Sequence, residues 1–311
     1  MRNLRRQRLG AYLRENWCLY AMSLPGLLFL IVYKFTPLYG LTLAFKDYNM
    51  FAGNGLLDSL VKSEWVGLTH FERIFSSPQF GQLLTNTLLI SIYKIVLLFP
   101  LPILLAVLMN EMRGSLYKRT VQTIIYLPHF LSWIIIYGIF FTLLASDGMV
   151  NQALKALGLS PVLFFSDPHV FRSVLVATEG WKETGWGTIV YLAALTSIDP
   201  ALYEAAVMDG ANRWQRMRHV TWPGLVPVVA MMLLLRVGNI LSAGYEQILV
   251  MYNPAVYSVA DIIQTYVYRI GLGQMDFSTG TAMGMFESVV GFALVVAANA
   301  VSRRFFERSL W

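Results

Sequence analysis

The chain has 311 residues, 56 % of them hydrophobic and only 14 % charged, and a mean hydropathy of +0.55. Soluble domains carry roughly 25 % charged residues, so these figures exclude an ordinary soluble domain and predict an all-α, polytopic membrane protein. The net charge of +6 is no nucleic-acid signature, because the Lys and Arg residues sit mainly beside apolar spans, and the single cysteine, Cys18, excludes an intrachain disulfide.

In chain order, six apolar segments reach the roughly 20 residues that a spanning helix needs. The N-terminal stretch carries Arg2, Arg5, Arg6, Arg8 and Arg14, and the first span follows at about 17–45. This span is long for the core of a signal peptide and has no small-x-small cleavage site, so it reads as an uncleaved helix, bent or bounded by Pro25 and Pro37. In the loop that follows, Leu68, Phe71, Ile74 and Phe75 fall at helical spacing and predict a short surface helix. The second span covers about 83–109, interrupted late by Pro100 and Pro102. The third covers about 121–144, with Pro128 and Gly138 inside it. Val150, Ala153, Leu154 and Leu157 then form an apolar stripe stopped by Gly158, a second surface helix. The fourth, fifth and sixth spans cover about 170–195, 225–251 and 279–301, and Asp261 to Arg269 between the last two has helical character. No short repeat or second domain is evident, so residues 1–311 read as one transmembrane domain.

Lys and Arg counts orient the spans. The N-terminal stretch, the loop with Arg113, Lys118 and Arg119, the loop with Arg213, Arg216 and Arg218, and the end with Arg303, Arg304 and Arg308 hold fourteen. The opposite loops hold five: Lys46, Lys62, Arg73, Lys155 and Arg269. Both termini and the stretch from Asp199 to Pro223 are therefore predicted to face the cytoplasm.

That stretch is the longest strongly polar passage in the second half. Asp199 is placed to cap a helix with Pro200 at its first position. Gly210 is a stop that accepts a left-handed backbone. Asn212 is placed to cap a second short helix, ending before Pro223. The pattern Glu204, Ala205, Ala206, Asp209, Gly210, Ala211, Val220 and Pro223 resembles the EAA signature of permease subunits of ABC importers. The resemblance extends along the chain through Pro37-Leu38-Tyr39-Gly40, Ala44-Phe45-Lys46-Asp47-Tyr48, Trp65-Val66-Gly67-Leu68, Asn86-Thr87-Leu88 and Tyr126-Leu127-Pro128-His129-Phe130. It continues through Tyr191-Leu192-Ala193-Ala194-Leu195 and Thr265-Tyr266-Val267-Tyr268-Arg269. It is closest to the permeases of oligosaccharide importers, in the branch linked to polysaccharide-derived sugars.

The resemblance implies a type I importer permease of six transmembrane helices in a bacterial cell membrane. Its implied partners are a second homologous permease chain, two ATPase subunits and an extracytoplasmic sugar-binding protein that delivers an oligosaccharide. Residues 199–223 become the coupling helices, with Glu204, Ala205, Ala206, Asp209, Gly210, Ala211 and Pro223 meeting the ATPase. Glu204 and Asp209 are expected to bond backbone donors or Arg213, Arg216 or Arg218. No Walker A pattern is present, so the chain is not expected to be an enzyme or to hold a cofactor. The four histidines show no metal-ligand spacing.

For the pathway, the charges within apolar spans are Lys34, Lys94, Glu179, Lys182, Glu183, Arg236, Glu246 and Glu287. They either face a cavity or pair with one another, and Lys34 and Lys94 have stems long enough to reach an interface instead. Sugars bind aromatic faces and polar groups, and the best local cluster is Trp181, Glu183 and Trp186, with Gly180, Gly185 and Gly187 leaving room for close approach. Asn239, Tyr245 and Glu246 add to it from the fifth span. The competing reading of the tryptophans is an interfacial anchor. If Glu287 lines the pathway, a strongly anionic sugar is disfavoured. The alternative function is a secondary transporter driven by an ion gradient, which the intramembrane charges would suit; inverted symmetry, its usual mark, is not visible.

Overall fold

A computed structural model describes residues 15–112 and 114–306. Arg2, Arg5, Arg6, Arg8, Arg14, Arg113 and Arg308, on which part of the charge asymmetry rests, lie outside them. The described residues are almost wholly helical. Five helical segments are long and apolar enough to cross a membrane: Trp17–Phe45, Pro78–Asn110, Trp133–Ala156, Arg213–Gly238 and Phe277–Ala300. A further helix, Pro168–Thr196, has the length but carries Arg172, Glu179, Lys182 and Glu183. The chain divides into two compact units, Met1–Arg73 with Ile270–Met285, and Ile74–Arg269 with Phe286–Trp311.

In the first unit, α1 (Trp17–Leu30) has Pro25 inside it and runs on through a π-turn (Ile31–Phe35) and a 3-10 segment (Thr36–Phe45). The wide turn falls just ahead of Pro37, where a regular helix would drive the proline ring into the carbonyl four residues back. No residue of α1 is buried within this chain. Two short strands pair antiparallel, β1 (Lys46–Asp47) with β2 (Glu64–Trp65), in the register Lys46 to Trp65. Between them lies α2 (Leu56–Lys62), and after them comes the expected surface helix, α3 (Thr69–Ser76), which belongs in part to each unit. The Lys46 carbonyl accepts from Ser278 at 2.6 Å and contacts His70 Nε2 at 3.1 Å.

The second unit holds α4 (Pro78–Leu98), α5 (Pro100–Asn110), α6 (Ser115–Tyr126), α7 (Trp133–Leu144), α8 (Met149–Ala156) and α9 (Pro168–Thr196). Then come α10 (Pro200–Met208), α11 (Arg213–Arg216), α12 (Trp222–Gly238), α13 (Tyr245–Met251), α14 (Tyr257–Ala260) and α15 (Ile263–Val267). The last helix, α16 (Phe277–Phe306), belongs in part to each unit.

Helix α9 organises the second unit, packing against α4, α5, α6 and α12. Asp167 caps it by accepting from the His169 amide at 2.9 Å, with Pro168 in the first position. Its buried residues recur at three- and four-residue steps, the mark of one helical face. At one end Phe171, Val174 and Leu175 join an apolar cluster with Ile136, Ile248 and Met251. At the other, Tyr191, Leu192 and Leu195 join a second with Ile103, Met109 and Leu225. Between the two clusters the same face carries Thr178, Glu179 and Lys182, all buried.

Two expectations are corrected. The third span is not continuous: α6 gives way to a 3-10 turn over Leu127–Phe130 and the backbone is extended at Leu131 before Ser132 caps α7, because Pro128 removes a ladder donor there. The fifth span also breaks, at 239–244, where Ala243 and Gly244 take positive φ. The expected second surface helix is present as α8; its buried residue is Asn151, which laces its loop to Ala145 and Val162, and its apolar stripe ends in exposed Leu157.

Candidate functional site

A layer of charges crosses the second unit where α9 meets the break between α12 and α13. Glu179 pairs with Lys94 of α4 at 2.5 Å and with Arg236 of α12 at 3.2 Å. Lys94 also donates to the Ala243 carbonyl at 2.7 Å and to Gln247 Oε1 at 2.6 Å. Gln247 in turn donates to the Leu175 carbonyl and the Thr178 hydroxyl, both at 2.7 Å. Ser91 donates to the Ile240 carbonyl. Side chains of α4 thus satisfy carbonyls freed by the break, which is how irregular backbone is tolerated at membrane depth. Lys94 is buried, so the expectation that its stem snorkels to an interface fails; its ammonium has more partners inward.

One turn further along α9, Lys182 donates to the carbonyls of His129 and Leu131, at 2.6 and 2.8 Å. These are carbonyls that the interrupted third span leaves without helical partners. Glu183 meets His129 Nδ1 at 2.9 Å, and the His129 ring stacks on Trp186 with centroids 4.3 Å apart and planes at 1°. Glu179, Glu183, Thr184, Trp186, Tyr191 and Arg236 share the wall of a cavity of about 200 Å³. A smaller one beside it, about 60 Å³, is lined by Lys94, Glu179, Arg236, Asn239 and the broken backbone through Gly244.

The six expected pathway residues therefore divide. Glu183 and Trp186 share the larger cavity, and Asn239 lines the smaller. Trp181 lines neither; it packs edge-on to Phe140. Tyr245 sits 6.5 Å from Tyr268, ring to ring, and Glu246 is exposed, both away from these two cavities. Glu287 also lies outside them, its carboxylate bonded by Gln264 at 2.6 Å, so it gives no ground for disfavouring an anionic sugar here. Gly185 and Gly187 make room for other helices rather than for a ligand: a Cβ on Gly185 would collide with the Ile125 carbonyl, and one on Gly187 would meet Pro102 at 3.1 Å. Arg236, in the cavity wall, and His129, which backs Trp186 and Glu183 without lining the cavity, are the residues the sequence reading missed. Arg236 had been noted only as an intramembrane charge, and His129 only within Tyr-Leu-Pro-His-Phe.

The second feature is the stretch around α10. Asp199 caps α10 by accepting from the Ala201 amide at 2.9 Å. At its other end Ala211 N bonds the Ala206 carbonyl and Gly210 N the Val207 carbonyl, the paired closure that a left-handed residue permits, with Gly210 at φ +76°. Asn212 and Gln215 then form a reciprocal capping box at 2.8 and 2.9 Å. The second short helix does not end before Pro223. It continues from α11 through a π-turn (Met217–Thr221) directly into α12, the wide turn again falling just ahead of a proline. Tyr203 and Thr221 join α10 to that turn at 3.0 Å. No residue of α10 is buried, and Leu202, Val207 and Met208 are exposed, Met208 at 87 %. Glu204, Ala205, Asp209 and Gly210 are exposed too, whereas Ala206 and Ala211 are half-buried. Among the described residues neither Glu204 nor Asp209 forms an ion pair with Arg213, Arg216 or Arg218, contrary to that option.

Elsewhere on α9, Arg172 donates to Asn86 Oδ1 at 2.7 Å and to the Val259 carbonyl at 3.0 Å. Arg269 donates to both carboxylate oxygens of Asp261, at 3.0 and 2.5 Å. Those bonds push the Arg269 guanidinium further up from its ordinary range.

A family model described as the binding-protein-dependent transport system inner membrane component matches residues 98–307. The chain is similar to Protein LplB of Bacillus subtilis (strain 168), 43 % identical over 97 % of this chain and 93 % of that one. It is 42 % identical to the polygalacturonan/rhamnogalacturonan transport system permease protein YteP of the same organism, over 99 % of this chain and 94 % of that one. Among solved structures it resembles a chain of a bacterial alginate ABC transporter in complex with an alginate pentasaccharide-bound periplasmic protein. There the TM-score is 0.88 and the identity 40 %, over 97 % of this chain and all of that one. On the family model and these near full-length matches, the chain belongs to the family of binding-protein-dependent inner-membrane transport components.

Proposed function

We propose that this chain is one of two permease subunits of an ATP-driven importer and forms half of the route by which an oligosaccharide enters a bacterial cell. The six crossings are the five apolar segments together with α9, whose charges are accommodated by partners on α4, α12 and the 127–131 turn. Both termini and α10 face the cytoplasm. The observation that carries the reading is α10 itself: a capped, rigidly closed helix whose Leu202, Val207 and Met208 have no cover within the chain. Exposed apolar side chains on a fixed element suit a docking surface, and here that surface receives a separate ATPase. Glu204, Ala205, Asp209 and Gly210 lie on it; Ala206, Ala211 and Pro223 hold its shape. Because α11 continues into α12, a displacement of this segment passes directly to the helix that carries Arg236. Glu183, Trp186 and Asn239 line the route. The carbohydrate assignment is supported by the substrates named for the similar permease and transporter complex, both polysaccharide-derived.

The test is uptake by proteoliposomes holding the complete transporter. Uptake of an oligosaccharide should require internal ATP and an external binding protein, and should persist when ionophores collapse the ion gradients. Uptake that stops with the gradients and ignores ATP would establish the ion-driven alternative.

A further inference from the structure

We propose that the cavity lined by Glu183, Trp186 and Arg236 takes the carboxylated sugar unit of an acidic oligosaccharide, Arg236 holding the carboxylate and Trp186 supplying the face for the ring. This rests on reading the chain as a carbohydrate permease. The charged layer sets the cations Lys94, Lys182 and Arg236 against only two carboxylates, Glu179 and Glu183. Lys94 and Lys182 are buried and saturated by carbonyls and carboxylates. Arg236 is neither. Its side chain is 41 % exposed and makes one bond, 3.2 Å long, to a carboxylate that Lys94 already holds at 2.5 Å. A guanidinium presents a planar fork of donors that fits a carboxylate, and an uncompensated charge at membrane depth is costly unless a cavity brings it an anion. Glu246, on the next helix, lines neither cavity.

Two neutral groups complete the wall. Trp186 is stacked on His129 yet remains 41 % exposed, leaving ring surface for the C–H face of a sugar. The Thr184 side chain lines the same cavity, its hydroxyl buried behind the wall without a hydrogen-bond partner among the described residues.

The test compares uptake of galacturonate and alginate oligomers with that of the same oligomers after reduction of their carboxyls to alcohols, each on saturated binding protein. Arg236→Gln should lower the ratio of acidic to neutral uptake by about tenfold, the loss of one charge-assisted bond, and Arg236→Lys, which keeps the charge without the fork, should restore only part of it. Glu179→Gln, which releases Arg236 from its internal partner, should raise the ratio. A ratio unmoved by these variants, whatever the total uptake, overturns the proposal, as does a wild-type transporter that moves neutral oligomers but not acidic ones. A wild-type transporter that moves neither acidic nor neutral glycans overturns the carbohydrate reading itself.

Discussion

Glu179→Gln is the substitution that most directly probes how the second unit is held together. The carboxylate is buried between α4 and α12, 2.5 Å from Lys94 and 3.2 Å from Arg236. Gln keeps the shape and removes the charge, leaving the Lys94 ammonium buried without a counter-ion. Breaking a buried pair from one side costs about 3–5 kcal/mol. For a chain of this size that corresponds to a thermal midpoint lower by on the order of 10 °C. Arg236→Gln is the internal control. It removes the longer contact of a side chain that water already reaches, and Glu179 keeps Lys94, so the expected loss is on the order of 1 kcal/mol. Thermal unfolding of both variants in nanodiscs, followed by circular dichroism and by loss of monodisperse protein, gives the comparison. Equal midpoints for wild type and Glu179→Gln, or a larger loss for Arg236→Gln, would refute the view that Glu179 is the central tie.

Three further outcomes follow from the geometry. Gly210→Val should insert normally, since no atom lies within 4 Å of the added Cβ. It should nevertheless disturb the closure of α10, because a left-handed backbone costs an L side chain about 1–2 kcal/mol; substrate-stimulated ATP hydrolysis should fall, whereas Gly210→Asn should stay near wild type. Gly185→Leu should fail to yield folded protein by size-exclusion chromatography, because its Cβ meets the Ile125 carbonyl, and Gly273→Leu, with open space around it, should fold. Asn212→Ala removes the acceptor of the capping box and should cost about 1 kcal/mol, visible as faster amide exchange over 212–216 with little change elsewhere.

Much of this was legible in the residues. The caps at Asp199 and Asn212 and the left-handed glycine at 210 are local chemistry, decided within a few residues of each other, and they stand where the pattern puts them. The intramembrane charges were legible as a class, and pairing was one of two stated outcomes. Their partners were not legible, because Lys94, Glu179 and Arg236 are brought together only by the packing of α4, α9 and α12. The breaks near 131 and 243 were missed for a related reason. What stabilises them is a donor on another helix, Lys182 for the first and Lys94 for the second. The continuity of α11 with α12 was hidden by Pro223, which reads as a terminator unless a π-turn absorbs it. Gly180, Gly185 and Gly187 were correctly read as sites of close approach, but the approaching groups are helices.

Photo-cross-linking from α10 tests the coupling claim most directly. In a Cys18→Ser background, Met208→Cys carries a benzophenone probe at the most exposed apolar position of the helix. In membranes containing the whole transporter, the probe should join the chain to a nucleotide-hydrolysing subunit, with a yield that changes when ATP is supplied, and should be attached only from the cytoplasmic side. Attachment from the outside, or cross-links to lipid alone with no ATPase product, would contradict the account.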